Sequence, residues 1–297
     1  MTDISTGPIV VDQLAGPETW SAKALRLFRT KPLGAIGLVI VLIFIFMAIF
    51  AEFISPFDPL FISYDHLLSP PSSHYLLGSD EFGRDLLSRI IFGSRTAMLV
   101  GFVSSIIGST LGLFVGVASA YFGGKIDLIV QRVVDVFMSF PLIIMALAIV
   151  SIFGTGVQNV ILAVTIPMIP RCARVVRASA LALREVPYVD AARAMGFSHW
   201  RIIVRHMMPN VMAPFLIMLT AFMGQAILLE ASLSFLGLGV QEPTPAWGLM
   251  LQGGAEQYAE TAPWVAIFPG LAITVSVFAF NLFGDALRDV LDPKLRV

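Results

Sequence analysis

The sequence predicts an all-α integral membrane protein with six transmembrane helices. Of its 297 residues, 57% are hydrophobic and 13% are charged, and the charged share is about half that of an ordinary soluble domain. Six mostly apolar segments approach the roughly 20 residues that a helix needs to cross a bilayer. With so few polar side chains and a formal net charge of −1, the composition excludes a cytosolic enzyme, a disordered protein and a nucleic-acid-binding protein.

The six segments are bounded by charged residues or by prolines. The first two are uncharged runs, and the third begins beside Arg132 and Asp135. The fourth continues into a stripe of arginines, and Glu230 closes the fifth. The predicted spans cover residues 33–54, 97–120, 133–153, 157–177, 210–230 and 263–284. They leave three connections that are long enough to hold structure: 55–96, 178–209 and about 237–262, the last of which has no Lys or Arg.

The basic residues predict which side of the membrane each loop faces. If the N-terminus is cytoplasmic, sixteen of the 19 Lys and Arg residues lie on the cytoplasmic side, as the positive-inside rule requires. We therefore expect a cytoplasmic tail over residues 1–32, a cytoplasmic C-terminus and a cytoplasmic loop 178–209, with loop 55–96 outside. The first span is too long and begins too late for a cleaved signal peptide, so we expect an uncleaved anchor.

The cytoplasmic loop carries the signals of a helix–turn–helix. Residues Asp190–Met195 favour a short helix, and Gly196 follows where a left-handed residue would end it. Ser198 can cap a second helix that we expect to stop at Pro209. The two alanines after Asp190 would give a small, flat face that a groove of another protein could approach closely. On composition alone, an ordinary interfacial hairpin explains the loop equally well.

The same loop resembles the EAA motif of ABC importer permeases. That motif runs Glu-Ala-Ala, three residues, Gly, nine residues and then Ile-x-Leu-Pro, and every spacing is matched here. The corresponding residues are Asp190, Ala191, Ala192, Gly196, His206, Met208 and Pro209. Asp replaces Glu and shortens the reach of the carboxylate, while His and Met replace Ile and Leu. The motif implies a coupling helix that is seated in a cleft of an ATPase.

Three further segments are similar to signatures of one branch of that family. Residues 77–89 resemble its external Gly-Arg-Asp signature, residues 230–248 the exit of its fifth span, and residues 280–294 its C-terminus. Over about residues 21–297, the chain resembles the C-type permease subunit of dipeptide, oligopeptide and nickel ABC importers. The resemblance implies the type I ABC importer permease fold in a bacterial or archaeal inner membrane.

The resemblance also implies partners and a class of solute. The expected partners are a homologous B-type permease, two ATP-binding subunits, an extracytoplasmic solute-binding protein and membrane lipid. Di- or oligopeptides are the expected solutes, with nickel, glutathione or opine-like solutes as alternatives. The chain has no P-loop, because Ile126 follows Gly124-Lys125 where Ser or Thr is needed. We therefore expect no cofactor in this chain, with ATP and Mg²⁺ bound by the partner subunits.

Candidate residues follow for coupling and for the pathway. Asp190 and Arg193 would make polar contacts with the ATPase, whereas Ala191, Ala192 and Gly196 would allow close packing; the alternative is that these residues only shape the loop. The candidate pathway residues are Met223, Gln225, Glu230 and Asn281. Polar residues within spans more often join helices to one another, and Glu230, near the outer interface, could equally have a structural partner.

The external signature contains clustered charges that have two interpretations. Its residues of interest are Gly78, Asp80, Gly83, Arg84, Asp85 and Arg89. The charges could form an internal salt-bridge network that holds the loop, or a docking surface for the solute-binding protein. We favour the network for Arg84 and Asp85, although the loop as a whole could still belong to the docking face.

Catalysis and metal binding are not expected of this chain. No nucleophile–base pair stands out, the single cysteine excludes a cysteine-based zinc site, and His66 and His74 lack a third ligand. Two rival functions remain. An ion-coupled carrier would need carboxylates near the middle of the membrane, and a scaffold without a transport role would leave the spacing of the cytoplasmic hairpin unexplained.

Overall fold

A computed structural model describes residues 31–291, which form helices joined by loops. The helices are α1 (Pro32–Ile54), α2 (Leu86–Phe122), α3 (Gly124–Met138), α4 (Leu142–Phe153), α5 (Val157–Arg184), α6 (Pro187–Ala194), α7 (His199–Ile202), α8 (Met212–Phe235), α9 (Trp247–Gln257) and α10 (Trp264–Leu291). Among these residues, five helices are long and apolar enough to cross a membrane, or six if a bent pair counts as one span. Most of the predicted N-terminal tail and the last residues of the C-terminal signature lie outside the described part.

The second span begins earlier than predicted. Helix α2 starts at Leu86 rather than at residue 97 and is 37 residues long. The carboxylate of Asp85 caps it by accepting a hydrogen bond from the Ser88 amide at 2.8 Å. The predicted external loop 55–96 therefore ends at residue 85. Arg89 and Arg95, in the first turns of α2, made this stretch look like a loop. They pair with Glu242 and Glu52, which are distant in sequence.

The third predicted span is broken rather than continuous over residues 133–153. Helices α3 and α4 meet at 88°, because Pro141 adopts φ −56° and ψ 136° and cannot continue a helix. Asp127 at the start of α3 pairs with Arg177 at 2.6 Å, whereas Gly156, just after α4, donates to the Gly239 carbonyl at the opposite end of the bundle. The bent pair thus makes one crossing.

The first span ends at Ile54 as predicted, whereas the fourth, fifth and sixth run past their predicted ends. Helix α5 continues to Arg184, and α10 to Leu291. The helix that we expected to stop at Pro209 instead continues through a π-helical turn (Ile203–Met207) and a 3-10 turn (Met208–Val211) into α8. Pro209 is tolerated because it lies in the first turn of the 3-10 segment, where no backbone N–H is required. Helix α8 extends to Phe235, so Glu230 lies inside it rather than closing it.

Helix α2 is the centre of the bundle and packs against α1, α5 and α8. It runs parallel to α5 at a distance that requires glycine: a Cβ on Gly112 would lie 2.5 Å from the Cβ of Cys172. Helices α1 and α10 approach as closely, since a Cβ on Gly34 would lie 2.0 Å from the Cβ of Ala286. Small residues at such contacts are typical of helices that associate within a membrane.

The bundle has two distinct ends. The loop end comprises residues 55–85, the first turns of α2 and residues 236–247. The hairpin end comprises the last turn of α2, the start of α3 and residues 185–211. Lys31 pairs with Asp289 at 2.5 Å, and α1 runs antiparallel to α2, as the Arg95–Glu52 pair at 3.0 Å shows. Both described termini therefore lie at the hairpin end.

Candidate functional site

The hairpin forms as its local sequence predicts. Helix α6 begins with Pro187, and Gly196 follows it in the left-handed region with φ +75°. The Ser198 side chain caps α7 by accepting the Arg201 amide hydrogen bond at 3.3 Å. The predicted helix–turn–helix, its glycine turn and its serine cap are all confirmed.

The two alanines of the hairpin point in different directions. Ala192 is 1% exposed and, together with Val189, packs into the same cluster of buried side chains as Tyr121. Ala191 is exposed. Successive residues of a helix are about 100° apart, so two adjacent alanines cannot share one narrow face. The prediction that Ala191 and Ala192 form a common surface is therefore wrong, because Ala192 belongs to the interior of this chain.

The exposed side of the hairpin combines a charge pair with large apolar side chains. Asp190 and Arg193 are paired at 3.0 Å on the surface, and Gly196 has no atom within 4 Å of the position of an added Cβ. Met195 and Trp200 are each 65% exposed, and sequence reasoning missed both. Large apolar residues that are scattered singly on a surface are common, so nothing in the sequence singled these two out.

At the loop end, two buried arginines share two carboxylates. Arg84 is 6% exposed and Arg89 is 1% exposed. Arg84 pairs with Asp80 at 2.6 Å and with Glu242 at 2.9 Å. Arg89 pairs with Glu242 at 3.1 Å and lies 3.5 Å from Asp80. The internal network predicted for Arg84 is confirmed, and it joins the 55–85 loop to the segment that follows α8.

Glu242 is the member of this network that the sequence did not reveal. It lies 158 residues after Arg84, in a stretch whose only sequence signal is an isolated acid with no basic residue nearby. Two further hydrogen bonds hold the same segment on α2. The Trp247 indole donates to the Ile90 carbonyl at 2.9 Å, and the Thr96 hydroxyl donates to the Pro245 carbonyl at 3.1 Å.

Asp85 and the signature glycines have structural roles different from ion pairing. Asp85 accepts hydrogen bonds from the amide and the hydroxyl of Ser88, so the prediction that Asp85 belongs to the salt-bridge network is wrong. Gly78 and Gly83 adopt φ +83° and +72°, and a Cβ on Gly83 would lie 1.9 Å from the Ser63 carbonyl oxygen. Burial raises the pKa of the neighbouring Glu81 carboxyl above its ordinary value.

The four candidate pathway residues divide into two groups. Asn281 is exposed and Gln225 half-buried, on neighbouring helices α10 and α8. Met223 and Glu230 are 8% and 1% exposed, so both are buried between the helices of this chain. The Glu230 carboxylate accepts a hydrogen bond from the Ser234 hydroxyl at 2.8 Å. Glu230 therefore has the structural partner that the sequence left as an alternative.

Within residues 31–291, the structure has no group of three or more His, Cys, Asp or Glu side chains arranged to hold a metal ion. His66 and His74 are neighbours in the loop, with ring centroids 5.7 Å apart. Their rings also contact Tyr75, so the pair belongs to an aromatic cluster.

Comparison with known proteins places these features in a family. Residues 108–297 match the binding-protein-dependent transport system inner membrane component, and residues 19–71 match the N-terminal transmembrane domain of oligopeptide transport permease C. A dipeptide transport system permease protein of Alkalihalophilus pseudofirmus is 39% identical over 100% of this chain and 97% of its own length. A glutathione transport system permease protein of Pectobacterium atrosepticum is 41% identical over 99% of this chain and 97% of its own.

A further relative and a solved structure are also similar to this chain. A protein of Brucella suis, provisionally named as a peptide transport system permease, is 43% identical over the whole chain and 96% of its own length. The inward-facing MetNI methionine ABC transporter contains a chain with a TM-score of 0.55, which covers 69% of this chain and 96% of that one at 22% identity. The structure shows a shared fold, and the sequence matches show that this chain belongs to the family of binding-protein-dependent transport system inner membrane components.

Proposed function

We propose that this chain is one of two permease subunits of an ATP-driven importer for short peptides. Helix α6 carries the proposal, because a short helix with one face buried in the bundle leaves its other face free at the end of the molecule. Relatives that span the chain are named as peptide, dipeptide and glutathione permeases. Peptides, including the tripeptide glutathione, are therefore the proposed solutes.

The distribution of charge supports a cytoplasmic position for the hairpin end. Both described termini lie at that end, and eleven of the 14 basic residues within residues 31–291 lie toward it. The remaining three, Arg84, Arg89 and Arg95, lie at the loop end. Such an asymmetry is typical of a cytoplasmic surface. The loop end would then face outward and meet the extracytoplasmic solute-binding protein.

The exposed side of α6 would be seated in a cleft of an ATP-binding subunit. Asp190 and Arg193 would make polar contacts there, and the small side of Ala191 and the turn at Gly196 would allow a close approach. That partner would bind ATP and Mg²⁺, and this chain would contribute only the helices that move in response. The bundle would have two conformations, one open to each side of the membrane. Closure of the ATP-binding subunits would shift the equilibrium between these two conformations.

The path for the solute would run along the face that carries Gln225 and Asn281. Both are neutral polar side chains, which can hydrogen-bond peptide amides without favouring one charge. A homologous B-type permease would cover this face, and lipid would cover exposed apolar side chains of α1 such as Phe46 and Phe53. An ion-coupled carrier is disfavoured, because the Glu230 carboxylate lies in the last two turns of α8, near the loop end, rather than in the middle of a span.

Replacement of Gly196 tests the coupling role. Gly196→Val should reduce ATP-driven dipeptide uptake into vesicles that contain the full complex by at least tenfold. An added Cβ meets no atom within 4 Å, so the damage comes from the left-handed backbone, which disfavours residues with a side chain by about 1–2 kcal/mol. Gly196→Asn should keep most of the uptake, since Asn tolerates this conformation.

Gly237 provides a matched control at the loop end. It has φ +73° and also no atom within 4 Å of an added Cβ, so Gly237→Val introduces a comparable backbone strain away from the hairpin. We expect this variant to lose much less uptake than Gly196→Val. Normal uptake by a stably inserted Gly196→Val complex, or equal losses in both valine variants, would contradict the coupling role.

A further inference from the structure

The end of α2 contacts the hairpin through a set of aromatic rings. Tyr121, in the last turn of α2, is 4% exposed. Its hydroxyl lies 2.7 Å from Nδ1 of His199 in α7. Its ring lies 4.9 Å from the guanidinium carbon of Arg193 in α6. One side chain of α2 therefore touches both helices of the hairpin.

A second contact lies two helical turns earlier on α2. The Phe114 ring is stacked on Trp200, with centroids 6.0 Å apart and an interplanar angle of 2°. Residues seven apart lie on the same face of a helix, so Phe114 and Tyr121 present one continuous surface to α7. Neither contact involves α5 or α8, the helices that precede and follow the hairpin in sequence.

Helix α2 differs from those two helices in regularity. It is a continuous helix of 37 residues, about 55 Å long at 1.5 Å per residue. By contrast, α5 contains Pro167 and Pro170, and the path from α7 into α8 includes a π-helical and a 3-10 turn. A helix without such interruptions transmits displacement along its axis with less bending.

The opposite end of α2 holds the charge network of the loop end. Arg89 lies in its second turn and pairs with Glu242 at 3.1 Å. The Ile90 carbonyl, on the same turn, accepts the Trp247 indole hydrogen bond. A displacement of α2 would therefore act directly on the segment between α8 and α9.

We propose that Tyr121 is a positioning residue that joins the hairpin to α2, so that hairpin movement passes along α2 to the loop end. The inference rests on the proposed function, because it assumes that the hairpin is moved by an ATPase. Tyr121 contacts neither the ATPase nor the solute in this scheme. It acts through Arg193 and His199, and its loss would separate ATP hydrolysis from uptake.

The test measures how many ATP molecules the full complex hydrolyses for each peptide that it imports. The complex is placed in vesicles that enclose ATP, and the solute-binding protein and a labelled dipeptide are added outside. Tyr121→Leu removes both contacts and should raise this ratio at least fivefold. Tyr121→Phe keeps the ring beside Arg193 and should raise it less. Tyr258→Phe is the control, because it makes the same change just after α9, away from the hairpin and from α2, and the ratio should stay unchanged.

A folding defect can be separated from uncoupling with the single cysteine of the chain. Cys172 is 0% exposed, so a maleimide dye labels it only when the bundle opens. Trp200→Leu offers a second route to the same test, since a side chain that is 65% exposed leaves no cavity in the core when it is replaced. It should raise the ratio less than Tyr121→Leu, with no increase in Cys172 labelling.

Unchanged ratios in both Tyr121→Phe and Trp200→Leu, with the protein folded, would overturn the inference. If Gly196→Val still disrupts uptake in that case, the hairpin remains the coupling element and only the role of Tyr121 fails. If Gly196→Val is also without effect, the proposed function itself fails.

Discussion

The loop end of the bundle contains buried ion pairs, whereas the Asp190–Arg193 pair at the hairpin end is exposed. At the loop end, Arg84 and Arg89 are almost completely buried, and each pairs with a carboxylate from a distant segment. At the hairpin end, the Asp190 and Arg193 side chains are 68% and 36% exposed and pair within one turn of helix. The arginines of the loop-end network are paired within the chain, whereas the exposed Asp190–Arg193 pair of the hairpin stays accessible to a partner.

This contrast has an energetic basis. A buried ion pair gains little over a well-packed apolar pair, but removal of one partner is costly because a charge stays behind without compensation. An exposed pair contributes about 0–1 kcal/mol and is screened by salt. The buried network therefore specifies how two loops are joined, and the exposed pair can exchange its partner without a large penalty.

Arg89→Met should give the largest effect. The substitution leaves Asp80 and Glu242 short of one positive charge, and we expect a loss of about 3–5 kcal/mol in unfolding free energy. Arg193→Met at the hairpin end should cost less than about 1 kcal/mol. Maleimide labelling of Cys172 as a function of denaturant measures both variants on this subunit. Equal losses would mean that the two ends do not differ in the way described.

Glu242→Gln should have an intermediate effect. Its side chain is 44% exposed, so water can compensate part of the interaction that the two arginines lose. Hydrogen bonds to charged groups contribute about 1.5–3 kcal/mol each. We expect a loss near the lower end of that range, with faster proteolysis of residues 236–247. Glu260→Gln replaces an exposed acid of the neighbouring loop and is the control. Identical digestion of the two variants would argue against a specific role for Glu242.

The capping residues of α2 and α7 should also differ in their contributions to stability, by a smaller free energy. Asp85 is 3% exposed and caps α2 at 2.8 Å, whereas Ser198 is exposed and caps α7 at 3.3 Å. Replacing a capping residue by alanine costs about 0.5–2 kcal/mol. Asp85→Ala should fall near the upper limit and Ser198→Ala near the lower one, as measured by the same labelling assay. A larger loss for Ser198→Ala would reverse the comparison.

The smallest effect concerns pH at the loop end. Burial raises the pKa of the Glu81 carboxyl above 4.5, its ordinary value. A raised pKa means that the folded state holds this proton more tightly than the unfolded state does. Glu81 therefore favours folding most at low pH, and this contribution is lost as the pH rises through the raised value. Glu81→Gln should flatten the pH dependence of Cys172 labelling above pH 4.5, and an unchanged slope would refute the assignment.

The hairpin shows what local sequence can predict. The turn at Gly196 and the cap at Ser198 depend on residues that are close along the chain, and both appear where they were expected. The orientation of Ala192 was not predictable in the same way, since it depends on contact with buried side chains of α2 and α5. The missed break at Pro141 is different, because proline was a visible signal inside an apolar segment.

The loop end shows where sequence reasoning stops. Clustered charges in residues 77–89 indicated a network, but not that Glu242 completes it or that Asp85 caps a helix. The start of α2 was misplaced for the same reason. Charged residues look like loop residues until their partners are known, and Glu242 is 153 residues away from Arg89.

The sequence by itself determined the membrane-spanning character, the approximate positions of the spans and the form of the hairpin, because hydrophobicity and short-range hydrogen bonding act over a few turns of chain. The tertiary structure alone decided which charges are buried, which alanine faces outward and that α3 and α4 form one broken crossing. Each of those outcomes depends on the free energy of bringing together groups that are far apart along the chain, and that free energy is set by their packing in three dimensions.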